Sequence, residues 1–261
     1  MRPVLPSGRP AFDFVLVSRY CALSHGIWLF QKLAMKKESH DMSDEDLREL
    51  ERRWRASGTV DDEAAYLAER LRAGELSAEQ VETLAELGYP AGMIVLGKDQ
   101  EWLAQQRLSE TLFDLGPQSL SRAILIILGR LCLEADLIQP PAIVARLIEA
   151  VRAWLASPTR EHAALAGHEA HLCSAEAVQL DPFGQVVSYT PGILGRVYDL
   201  AGILGNNIEV GDDGVGVYAF LIQSRDEYPC LQDQPIRALL CEKLVPWFLG
   251  YSDPLNIQVV A

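Results

Sequence analysis

Residues 43–88 read SDEDLRELERRWRASGTVDDEAAYLAERLRAGELSAEQVETLAELG, and this stretch decides the fold class. Leu47, Leu50 and Trp54 recur at i, i+3 and i+7, which lays one apolar stripe along a helix. Ser43 precedes Asp44, Glu45 and Asp46, a capping hydroxyl followed by acids that the helix dipole favours. Asp44 with Arg48, Glu49 with Arg53 and Glu51 with Arg55 are acid-first i,i+4 pairs. Gly58 stops this helix. A second opens at Asp61-Asp62-Glu63, turns Ala64, Leu67 and Leu71 inward and ends at Gly74. A third starts from a capping box of Ser77 and Gln80, carries Val81, Leu84 and Leu87, and stops at Gly88.

The same texture continues outward. Trp102 to Leu115 and Ser119 to Ala135 read as helices, the latter apolar nearly all round from Ala123 to Leu128 and therefore central. Pro140-Pro141 starts a helix to Leu155 with Ile143, Leu147, Val151 and Trp154 inward, and Thr159 caps the next. Beyond Cys173 the pattern loosens. Asp181-Pro182-Phe183-Gly184 signals a turn and Gln185 to Tyr189 suits a short strand. Pro191 to Leu204 reads as helix, Asn206 to Gly216 as loop, and Val217 to Gln223 as either strand or buried helix. Pro235 to Leu249 is a helix that Pro246 should kink in its last turn.

These elements predict an all-α fold, helical hairpins packed as a bundle or irregular α-solenoid, with room for one short β-hairpin in the C-terminal third. No fixed repeat period recurs. Three segments are distinguished: an N-terminal extension over 1–41, a helical-hairpin region over 42–172 and a mostly helical region over 173–261, with 42–261 as one continuous domain the alternative. The texture changes sharply at Met42, so residues 1–41 read either as an ordinary N-terminal element or as sequence upstream of a start at Met42 or Met35.

The 261-residue chain is 49% hydrophobic and 23% charged, an average globular balance that needs no disulfide or metal staple. Its formal net charge of -13 repels phosphate backbones and anionic lipid headgroups, which argues against nucleic-acid and membrane-surface roles and favours neutral or basic protein partners. The arginines Arg48, Arg52, Arg53 and Arg55 are interleaved with acids and form no basic patch. Five widely spaced cysteines without a CxxC point to a reducing compartment, and the apolar stretch from Phe12 to Ala34 is interrupted by Asp13, Arg19, His25 and Lys32. The expected location is the cytoplasm.

Residues 85–97, Ala-Glu-Leu-Gly-Tyr-Pro-Ala-Gly-Met-Ile-Val-Leu-Gly, end one small-residue helix, turn at a glycine and start another. This single thirteen-residue segment resembles the consensus of Sel1-like helical repeats. The resemblance implies a helix–turn–helix of the kind found in protein-binding solenoids.

One group of side chains could hold a metal. His162, His168 and His171 fall within ten residues, Cys173 follows, and imidazole and thiolate are the ligands zinc prefers. His168, His171 and Cys173 are the candidate zinc ligands. His162 lies nine residues from His171, about 180° around a continuous helix, and could join them only if the helix breaks at Gly167. His168-Glu169-Ala170-His171 is not the metalloprotease H-E-x-x-H, because its second histidine comes one residue early. Ordinary histidines at a polar helix end account for the same residues.

Other near-motifs fail on chemistry. Gly92 to Asp99 approaches the phosphate-binding loop, but Asp99 replaces the magnesium-binding hydroxyl and the intervening residues are large and apolar. Glu209, Asp212 and Asp213 lack the alternation of a calcium loop. Trp28, Trp54, Trp102, Trp154 and Trp247 sit in apolar helical contexts and read as core. Tyr189, Tyr198, Tyr218, Tyr228 and Tyr251 lie in the looser C-terminal third, where a binding surface would be sought. The leading expectation is a non-enzymatic, protein-binding helical module, an adaptor, regulator or immunity-type inhibitor of a basic partner. The competing one is a zinc-binding protein or metal-dependent hydrolase using His168, His171 and Cys173.

Overall fold

The computed structural model describes residues 44–113, 115–137, 140–180, 193–210, 215–224 and 228–251. Among them the regular structure is entirely helical, with no strand. In chain order the helices are α1 (Asp44–Ser57), α2 (Val60–Ala73), α3 (Ala78–Glu86), α4 (Pro90–Val95), α5 (Gln100–Gln105), α6 (Leu108–Phe113) and α7 (Pro117–Glu134). They continue as α8 (Ala142–Ala156), α9 (Arg160–Leu180), α10 (Ile193–Val210) and α11 (Val215–Ser224). A short 3-10 turn at Pro229–Leu231 leads into α12 (Asp233–Lys243) and α13 (Val245–Phe248). Backbone contacts divide the chain into Met1–Arg48 and Glu49–Ala261. Of the first unit only the opening of α1 lies among the described residues, and the packed helices belong to the second.

Local signals place the helix ends. Thr59 caps α2 by accepting from the Asp62 N–H at 3.3 Å, two residues ahead of the acids that the pattern singles out. The capping box at α3 is complete: Gln80 N–H donates to Ser77 Oγ at 3.1 Å and Ser77 N–H to Gln80 Oε1 at 2.8 Å. Between α3 and α4 the chain reverses through Gly88 at φ 84°, a left-handed conformation that favours glycine, and Pro90 occupies the first turn of α4. Gly92 then lets α4 lie directly on α3, since a Cβ there would stand 2.8 Å from Leu84 Cβ. The segment resembling a Sel1-like repeat is therefore a helix–turn–helix.

Helix α7 is the centre of the fold. Leu120, Ala123, Ile124, Ile127, Leu128 and Leu131 are all buried, and α6, α8, α10 and α12 pack around it. Helices α8, α9 and α10 form a second layer in which α9 lies between α8 and α10. One apolar cluster extends from Ala64 on α2 to Leu249 beyond α13, and a smaller one joins Ala85, Met93 and Leu103.

Three expectations change, and one open alternative closes. Trp102 to Leu115 does not form one helix: it divides into α5 and α6 at Gln106 and Arg107. The backbone groups freed there find partners on α12, because Arg237 Nη2 donates to Gln106 O at 2.8 Å and Leu108 N–H donates to Asp233 Oδ2 at 3.2 Å. Helix α10 runs to Val210, through residues whose Gly and Asn content suggests loop. Asn207, buried, anchors that extension by donating to Ser121 Oγ at 2.9 Å and to Pro117 O at 3.3 Å. Val217 to Gln223, open between strand and buried helix, is helix within α11. The final helix separates at Leu244 into α12 and α13 instead of kinking, with Pro246 in the first turn of α13, where its missing N–H costs nothing. Residues 1–41, the Asp181–Gly184 turn, the Gln185–Tyr189 strand, Trp28, Asp212 and Asp213 lie outside the described residues.

Candidate functional site

The histidine segment folds as the uninterrupted helix α9, with no break at Gly167. Thr159 receives the His162 N–H at 3.3 Å, and the His162 ring Nδ1 lies 2.8 Å from Ser157 O, so this histidine belongs to the helix start. At about 100° per residue, Cys173 lies about 140° from His168 and about 160° from His171 around the axis. Accessibility follows that angle. His168 and His171 are exposed, whereas Cys173 is fully buried in the apolar cluster. Burial, with smaller contributions from Glu169 and Glu176, pushes the Cys173 thiol up to about 12. Glu169 is committed to an ion pair with Arg146 at 3.0 Å. The helix thus does not bring His168, His171 and Cys173 together. Among the described residues no group of three or more His, Cys, Asp or Glu side chains is placed to hold a metal ion.

The resemblance to a phosphate loop dissolves in a similar way. Gly92 is buried against α3, and Asp99 spends its carboxylate capping α5, accepting from the Trp102 N–H at 2.8 Å. Lys98, the loop's cation, lies over the Trp102 ring at 4.7 Å.

Folding of Lys98 onto Trp102 leaves the preceding hairpin with a distinctive charge. Residues 73–97 contain Glu75, Glu79, Glu82 and Glu86 and no Lys, Arg or His. Glu75 pairs with Arg70 at 3.2 Å, but Glu79 and Glu82, one helical turn apart on α3, are exposed without an ion-pair partner among the described residues. On α4 of the same hairpin Ile94 is 49% exposed. The α1–α2 hairpin contrasts with this. Four of its nine acids are paired in place, Glu49 with Arg52, Glu51 with Arg55, Asp62 with Arg53 and Glu69 with Arg72. Each such surface pair contributes little stability, roughly 0–1 kcal/mol, yet it cancels the local field. The α3–α4 hairpin keeps its negative field.

No family model, curated protein or solved structure matches this chain.

Several of the described aromatic residues pack internally. Trp154 is buried, and Trp54 stacks on Tyr66 with ring centroids 5.5 Å apart and meets Tyr251 at 5.0 Å. Trp247 lies under the guanidinium of buried Arg122 at 3.9 Å. Tyr198 is buried and donates to Glu176 at 2.9 Å. The C-terminal tyrosines that the structure describes are thus drawn into different packing sites; Tyr189 and the Tyr218 side chain lie outside the described residues.

Two polar constellations escape a reading by sequence. Tyr89 donates to Glu63 Oε1 at 2.5 Å, tying α2 to the start of α4. Desolvation raises the Glu63 carboxyl above its ordinary range, and the Tyr89 hydrogen bond partly opposes that rise. Arg237, buried on α12, joins the α5–α6 junction, and burial lowers its pKa. The one sequence signal for Arg122 and Arg237 is a lone cation inside an apolar helical run, next to Ala123 and Ile236 respectively.

Proposed function

We propose that this chain is a non-enzymatic, protein-binding helical module whose partner is basic, engaged through the α3–α4 hairpin. The observation that carries the reading is the hairpin's uncompensated charge: Glu79 and Glu82 project from a rigid, well-capped helix with no cation on the same hairpin. Exposed Ile94 on α4 supplies an apolar contact on the same hairpin. A negative field on a rigid surface speeds capture of a cationic partner and disfavours acidic ones. The adaptor, regulator and inhibitor roles share this requirement. The acidity of the whole chain supports the same direction.

The test compares the wild-type chain with a Glu79→Lys/Glu82→Lys variant. Partners are captured in the native host by proximity labelling, and direct binding of each purified partner is then measured at two salt concentrations. The reading expects a Lys/Arg-rich partner whose association slows by about tenfold or more in the variant and weakens with salt. A partner bound equally well by both proteins, independent of salt, would overturn it.

A further inference from the structure

We draw no further inference here: the strongest candidate, the buried Arg237 guanidinium whose Nη1 has no hydrogen-bond partner at the junction of α5, α6 and α12, lies close enough to Asp233 and Glu86 for both to balance its charge, and nothing in the structure points to a ligand beside it.

Discussion

Arg70 and Leu249 are 179 positions apart, and the arginine's Nη1 donates to the leucine's backbone carbonyl at 3.0 Å. The same guanidinium reaches Glu75 through Nε at 3.2 Å and lies 5.6 Å from the centre of the Tyr66 ring and 5.9 Å from that of Tyr251. Tyr251 in turn packs on Trp54. One planar cation therefore joins α2 to the carbonyl just after α13, where a helix end leaves carbonyls in need of partners.

Replacing Arg70 should loosen that junction. Arg70→Ala is expected to cost about 1–3 kcal/mol, the range for losing a charge-assisted hydrogen bond with its packing. Arg70→Lys should recover only part of it, because an ammonium cannot make the forked contact. Urea denaturation followed by tryptophan fluorescence measures both. An Arg70→Ala midpoint indistinguishable from wild type would show that the contact contributes nothing.

The crossing of α9 and α10 makes a sharper case. Gly205 is buried, and a Cβ built on it would fall 1.9 Å from Ala170 Cβ and 3.1 Å from Ala166 O. Alanine is the better helix former by about 1 kcal/mol, yet here the helices would have to move apart. Gly205→Ala should therefore destabilise by about 1–3 kcal/mol despite its propensity. Ala170→Gly should rescue part of that loss when combined with it, giving a favourable coupling in a double-mutant cycle. Additive effects by thermal denaturation would mean that the two positions do not touch.

Capping chemistry and apolar periodicity are local, so α3, α7, α8 and the start of α9 can be read from residue types alone. What sequence hides is long-range. The break at Gln106 depends on Arg237 and Asp233, more than a hundred positions away, and the helical state of Asn207 depends on Ser121. Neither break nor extension has a local signature, because the partner that satisfies the backbone or side chain arrives only with the tertiary fold. The metal hypothesis shows the complementary limit: His168, His171 and Cys173 are close in sequence, but helical rotation separates them. The acid-only composition of residues 73–97 was fully visible in the sequence; its exposure, and the folding of Lys98 onto Trp102, were not.

Glu63 should show an inverted pH dependence. Its carboxyl is raised in the fold, so the native state holds the proton more tightly than the unfolded chain. Its contribution to stability is then fully present at pH below the ordinary glutamate range and is lost as pH rises through the raised native value. Glu63→Gln removes that dependence while leaving an oxygen for Tyr89 to donate to, so the variant should match or exceed wild-type stability at neutral pH. Tyr89→Phe removes the hydrogen bond that opposes the shift and should raise the Glu63 carboxyl further. Carboxyl titration by NMR on wild type and Tyr89→Phe reads this directly, and a downward shift in the variant would contradict the assignment.

Cysteine reactivity separates a buried thiol from a metal ligand. A zinc-bound cysteine is a thiolate, whereas burial pushes Cys173 to about 12 and Cys132 to about 11. At pH 7 a thiol of pKa about 12 is ionised on the order of once in 10⁵ molecules, and the fully buried side chain offers a reagent no approach. Both cysteines should stay unmodified by N-ethylmaleimide in the native protein and react at once in denaturant, while half-buried Cys230 reacts before them. Peptide-level mass spectrometry resolves each site. Cys173 should keep its protection when a chelator is added, because packing and not coordination shields it. Protection that disappears with the chelator, together with zinc released in stoichiometric amount, would mean that α9 rearranges to bind metal and would restore the zinc reading.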